Sequence, residues 1–400
     1  MIMQKKIIII CGPRDSYGFC PVPPINNSAP EKNIFRLIEN DFLTNLKITV
    51  LSACGKSQKK IIRKDNLKGD YINLEYPNSF LKFNKSIILN NRVVRVFFSK
   101  ILSCPDFFSF IYLYQISKII QRISPDLILI NSLPQYTRYL RKRFPDKKIG
   151  LFQRGELGSS RKNLDLLDLI FTNSVGISDY LRKFVNNKKV KIKEIPNSLE
   201  ISFSPYGKKN YSKNIKYLIF TGRLIEDKGV FQLLQAFKLV QESFPYVQLR
   251  VVGGAEKLEK NSSYEKKLMG FSKENNLNVE FIGQIPNENL ASFYNESDLA
   301  IFPSICLESF GMVALEAMRC GLPVIASRRP GFEQLITHNV DGILVDNPED
   351  IGLLAESIIG LIKNPNVANT LGKNAYLRSF EFTPAIAAHE FEIIVKELFQ

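Results

Sequence analysis

Short, nearly continuous apolar runs alternate along this chain with longer stretches of helical period. Residues 7–11, 48–52, 127–130, 149–152 and 169–172 form the first set of runs, and the alternating 190–195 closes the series. Runs of that length, rich in Ile, Leu, Val and Phe, predict strands of a parallel sheet covered on both faces. Between them, residues 31–43, 107–123 and 178–185 repeat their apolar positions every three to four residues and predict helices. The period is lost over 196–214, a polar stretch containing Asn197-Ser198, which predicts a linker. A second alternating series follows, with strands predicted at 217–221, 248–252, 279–282, 299–302 and 324–327 and helices after each. The pattern is that of two doubly wound α/β domains, and such domains hold their ligands at the carboxyl ends of the strands.

Composition narrows this picture. Four hundred residues, 45% of them hydrophobic, exceed one core and suffice for two. The first apolar run is closed by Gly12-Pro13 and is too short for a signal-peptide core or a membrane span. The six cysteines show no C-x-x-C pairing, and two histidines cannot complete a zinc site with them, so a reducing cytoplasm is the expected compartment. Charge is unevenly spread: residues 1–199 carry 34 Lys and Arg against 15 Asp and Glu, the remainder 20 against 24. A basic N-terminal half attracts an anionic partner, whether an acidic acceptor or an anionic membrane surface. No nucleic-acid-binding motif accompanies the charge, and no nucleic-acid partner is expected.

Two constellations carry chemistry. In the first, the strand ending at Thr221 turns at Gly222, passes Arg223 and Lys228, and enters a helix with apolar Val230, Phe231, Leu234 and Phe237. A helix N-terminus flanked by two cations suits a diphosphate. In the second, a strand ends at Phe302, a loop carries Glu308, and Gly311 opens a short helix bearing Glu316. Two carboxylates are thereby held above the strand ends, where a carboxylate can accept hydrogen bonds from vicinal hydroxyls.

These residues, with Ile195-Pro196-Asn197-Ser198, Gly253-Gly254, Phe281-Ile282-Gly283 and Asp341-Gly342, resemble the family 4 retaining glycosyltransferases of GT-B architecture. The resemblance spans nearly the whole chain and is most specific from Lys191 onward. It implies two Rossmann-like domains facing each other across a cleft: an acceptor-binding domain over 1–198, a nucleotide-sugar domain over 199–380, and a terminal helix over 381–400 packing back toward the first domain. It further implies that Gly222, Arg223 and Lys228 meet the donor diphosphate, that Glu308 contacts the transferred sugar and that Glu316 holds the ribose. The amides around Phe310, Gly311 and Met312 would lie against sugar hydroxyls and phosphate. Arg223, Lys228 and Glu308 are the expected catalytic residues. The implied reaction is hexosyl transfer from a nucleotide-diphosphate sugar, UDP-sugar favoured, to a glycan or lipid-linked acceptor in cell-surface polysaccharide or glycoconjugate synthesis. No metal or other cofactor is expected, because Arg and Lys supply the charge stabilisation and the chain lacks Asp-x-Asp.

The chain departs from the family pattern at two places. Asn27 and Ser28 stand where relatives carry a Gly-Gly pair, and Arg154 stands where many place a histidine. Arginine is no general base at neutral pH, but it can grip an anionic acceptor. The segment 92–102, with Arg92, Arg95 and Ser99 at helical spacing, reads as a core-facing helix or a membrane-docking one; the second reading would put the protein at the inner face of the membrane. Two other functions stay open on sequence alone. One is a nucleotide-sugar epimerase or hydrolase on the same fold. The other is a catalytically silent relative, against which Arg223, Lys228, Glu308 and Glu316 argue.

Overall fold

A computed structural model describes residues 4–12, 29–40, 43, 45–55, 69–76, 107–157, 161–200, 214–254 and 263–400. Asn27, Ser28, the segment 92–102 and most of the linker 196–214 lie outside these residues. The chain divides into two compact units, Met1–Ser198 with Pro384–Gln400, and Leu199–Thr383.

In the first unit the strands are β1 (Lys5–Cys11), β2 (Leu46–Gly55), β3 (Asp70–Tyr76), β4 (Leu127–Asn131), β5 (Lys148–Gln153), β6 (Leu169–Thr172) and β7 (Lys191–Glu194). Among the described residues they form one parallel sheet in the order β3-β2-β1-β4-β5-β6-β7. The central strands are buried throughout, Ile7 to Ile10 and Leu127 to Ile130 being almost inaccessible, which explains their unbroken apolar character. The edge strand β3 reads Asp-Tyr-Ile-Asn-Leu-Glu-Tyr, with Asp70 exposed and residues 71–74 half-buried, and it lacks the apolar run of the central strands.

Two helices differ from their predicted bounds. The first is Ala29–Ile38, ending before Leu43, which reaches the core from the turn that leads into β2. The other is Val175–Arg182, earlier than the predicted 178–185, because the Ser174 side chain accepts the Ile177 N–H as an N-cap. The helix Pro384–Leu398 belongs to this unit. It adds Ala387, Ala388, Phe391 and Val395 to the core, with the Phe391 ring 5.4 Å from Phe171 and 5.9 Å from Phe152.

The second unit holds β8 (Tyr217–Thr221), β9 (Gln248–Val252), β10 (Val279–Gly283), β11 (Leu299–Phe302), β12 (Val324–Ser327) and β13 (Ile343–Val345). They too are parallel, in the order β10-β9-β8-β11-β12-β13. At three residues β13 is too short to stand out in the sequence. This unit runs to Thr383, beyond the 380 read from sequence, because Phe382 packs edge-on against Phe310 at 5.8 Å and Leu199 N donates to Phe382 O. No helix among the described residues is long and apolar enough to cross a membrane.

Candidate active site

The strand order of the second unit reverses between β8 and β11, and a doubly wound sheet opens its ligand crevice beside such a reversal. Both sequence constellations fall there. Hydrogen bonds from Gly222 N to Val252 O and from Gly253 N to Gly283 O carry the sheet pattern one residue past the ends of β8 and β9, through residues without side chains. Arg223 follows on the exposed side.

A single turn of 3-10 helix, Glu226–Lys228, then delivers Lys228. It ends at Gly229 with φ +68°, and a Cβ there would stand 2.0 Å from the Pro303 carbonyl oxygen, so this turn and the loop after β11 touch backbone to backbone. Ile305 N and Cys306 N both donate to Asp227 O and lock the two segments together. The helix Val230–Ser243 leaves from this point with its apolar face in the core.

On the β11 side, Glu308 comes to the same place. Lys228 Nζ donates to Glu308 Oε2 at 2.6 Å, and Ser304 Oγ lies 3.4 Å from the same oxygen. The two side chains keep only 20% and 12% of their exposure, so each charge is held chiefly by the other. Gly331 N donates to Glu308 O, seating the loop on the helix Pro330–Leu335.

Phe310 is buried against Phe382, so its side chain belongs to the core of the unit. Gly311 is the N-cap of Met312–Arg319 at φ +89°, and an added Cβ would strike the Phe332 ring at 2.5 Å. Having no side chain, it does not cap the first amides of that helix, an arrangement suited to an anion. One turn on, Glu316 receives a hydrogen bond from the buried Tyr294 Oη at 3.4 Å. The helix is anchored at its other end by Arg319, fully buried, bonded to Ser379 Oγ and O and lying 4.4 Å over the Phe380 ring.

The structure thus brings Gly222, Arg223, Lys228, Glu308, Phe310, Gly311, Met312 and Glu316 to the strand ends around one reversal point. Sequence reasoning passed over Tyr294 and Ser304. Tyr294 reads as one more apolar position of its helix, alongside Leu290 and Ala291, and nothing local signals its hydroxyl contacts.

In the first unit the order reverses between β1 and β4. Arg154 follows β5 and reaches toward that point: its Nη1 donates to Asn131 Oδ1 at 3.0 Å at the end of β4, and its guanidinium lies 5.0 Å from the Phe152 ring. Asn131 Nδ2 in turn points at Cys11 Sγ at the end of β1.

Known proteins resemble this chain in sequence and in fold. Residues 207–378 match the model of the family described as glycosyl transferases group 1. Over 366 residues, 86% of each chain, the protein is 25% identical to the lipopolysaccharide 1,2-N-acetylglucosaminetransferase of Salmonella typhimurium. Among solved structures it superposes on a sucrose-phosphate synthase from Thermosynechococcus elongatus with TM-score 0.72 and 20% identity, covering 99% of both chains. It superposes on Anabaena HepE in complex with UDP with TM-score 0.70 and 18% identity, covering 98% of this chain and 100% of that one. Two parallel-sheet α/β units of this kind are the GT-B architecture.

Proposed function

We propose that this group 1 glycosyltransferase of GT-B architecture moves a hexosyl group from a UDP-sugar to a hydroxyl of a cell-surface glycan or its lipid-linked precursor, with retention at the anomeric carbon and without a metal ion. The observation that carries the reading is the convergence of Arg223, Lys228, Glu308 and Glu316 at the β8/β11 reversal. Support for a UDP donor comes from the UDP complex of HepE, and support for a glycan acceptor from the lipopolysaccharide enzyme of Salmonella.

In this reading Arg223 and Lys228 grip the diphosphate, helped by the first amides of Met312–Arg319. The diphosphate competes with Glu308 for Lys228, and the carboxylate it displaces turns to the hydroxyls of the sugar. As the bond from the anomeric carbon to the β-phosphate oxygen breaks, negative charge grows on that phosphate beside the two cations. The acceptor oxygen forms its bond on the same face and yields its proton to the departing phosphate. Glu316 accepts from the ribose hydroxyls, and Gly222 lets the backbone approach the phosphates.

The acceptor is read by the N-terminal unit. Arg154, close to its strand reversal, together with the excess of Lys and Arg over 1–199, favours an acceptor that is anionic or displayed on an anionic membrane face. Protein and acceptor then meet at the inner surface of the membrane, with no membrane-spanning element required.

The test is a panel of nucleotide sugars screened by thermal shift, followed by product analysis with and without acceptor. Transfer with a retained anomeric configuration is expected. Donor breakdown or epimerisation alone, unaffected by any acceptor, would overturn the proposal in favour of a hydrolase or epimerase.

A further inference from the structure

Tyr294 is fully buried on the helix Asn287–Asn295, and its hydroxyl joins three separate elements. It lies 2.6 Å from Thr221 Oγ1 at the end of β8, 3.2 Å from Val313 O in the first turn of Met312–Arg319, and 3.4 Å from Glu316 Oε2 one turn further on. Proton accounting allows this relay to run from Thr221 through Tyr294 to Glu316. The two hydroxyls bring one proton each, while the Val313 carbonyl and an ionised Glu316 can only accept. Thr221 Oγ1 can turn its proton toward the phenol oxygen at 2.6 Å. If Thr221 donates to Tyr294, the phenolic proton is left for the Val313 carbonyl and the Glu316 carboxylate. Burial, and after it the neighbouring Glu316, push the Tyr294 phenol well above its usual range, so that proton stays in place.

We propose that Thr221 and Tyr294 position the Glu316 carboxylate to receive the ribose hydroxyls of the donor nucleotide, and that this relay sets selectivity for ribose over deoxyribose. The inference rests on the ribose role of Glu316 given above and adds the residues that make that role selective. The Tyr294 hydroxyl bonds Glu316 Oε2 and so restrains the carboxylate, whose oxygens together offer about four acceptor sites, enough to receive a vicinal diol as well. A group held in this way discriminates sharply against a ligand lacking the hydroxyl, because an oriented acceptor is then left without a partner. A loosely held carboxylate would swing toward solvent and lose less. Tyr294 is a positioning residue, since it acts on the nucleotide through Glu316.

The experiment measures calorimetric affinities of the full chain for UDP and 2′-deoxy-UDP, with the GDP and ADP pairs alongside, in the parent and in Tyr294→Phe, Thr221→Val and Thr221→Ser. The parent is expected to prefer the ribonucleotide. Tyr294→Phe and Thr221→Val should weaken the ribonucleotide about ten-fold while shifting the deoxynucleotide by no more than about two-fold. Thr221→Ser, which keeps the hydroxyl, should retain the parental ratio. If Tyr294→Phe fails to fold, the Thr221 pair carries the same comparison. Equal weakening of both nucleotides in the variants would overturn the relay and leave the ribose role of Glu316 standing. A parent with no preference in any pair would remove that role and the relay with it.

Discussion

Lys228 Nζ stands 2.6 Å from Glu308 Oε2, with both side chains largely withdrawn from solvent. The cation assigned to the donor phosphates and the carboxylate assigned to the donor sugar are therefore partners of one another, and removing either leaves a charge without its counterpart. Lys228→Ala should lower kcat/KM by an amount corresponding to about 2 to 4 kcal/mol of transition-state stabilisation. It should also weaken folding by about 1 to 3 kcal/mol, read from urea denaturation. Adding Glu308→Gln should restore much of the stability and none of the activity. A Lys228→Ala protein with parental kcat/KM would show that this lysine does not serve the leaving group.

Arg223 offers the contrast, because it is exposed. Arg223→Ala should lose activity by about 10²-fold or more, the scale of removing one preorganised donor to a developing oxyanion. Its urea midpoint should stay at the parental value. Steady-state kinetics and denaturation on the same preparation check both halves, and a shifted midpoint with intact turnover would reverse the assignment.

At Gly229 the tight approach to the Pro303 carbonyl leaves no space for a methyl group, and the backbone is left-handed. Gly229→Ala should therefore destabilise the second unit by more than about 1 kcal/mol. Gly311→Ala should press on Phe332 and disturb the amides that open Met312–Arg319. For that variant the expected signature is weaker UDP binding by calorimetry, out of proportion to its change in Tm.

Transfer should survive EDTA at a concentration that strips divalent ions, since the proposed mechanism gives Arg223 and Lys228 the charge that faces the departing phosphate. The check is a turnover assay on the dialysed protein. Activity lost in EDTA and restored by magnesium or manganese would sink the metal-free mechanism.

The basic N-terminal half predicts co-sedimentation with anionic vesicles that falls steeply with ionic strength, each well-placed cation contributing about 1 kcal/mol. Charge reversal at Arg92, Arg95 and Lys100 should reduce it further. Binding that ignores lipid charge, combined with efficient transfer to a neutral soluble acceptor, would leave these residues as a solvated surface.

Much of the architecture was legible because buried parallel strands must be apolar throughout, and Ile7 to Ile10 or Leu299 to Phe302 announce themselves by that requirement. The edge strand Asp70–Tyr76 lacks that signal, because Asp70, Asn73 and Glu75 interrupt its apolar residues. At the site, the glycines and charges stood out because turns and anions demand those residue types. Contacts made at a distance did not. Tyr294 meets Thr221 across 73 residues and Arg319 meets Ser379 across 60, and no local spacing encodes either pairing. The Lys228–Glu308 pair is hidden for the same reason: its residues are 80 positions apart, on two loops that only the sheet order makes neighbours.

Because the helix Pro384–Leu398 completes the core of the first unit, that unit is assembled from the two extremes of the described chain. On the ribosome the second unit is fully synthesised while Phe152 and Phe171 still await Phe391. Maturation of the N-terminal half therefore waits until residues 384–398 have been made, and until then an apolar face lies open to chaperones or to a neighbouring nascent chain.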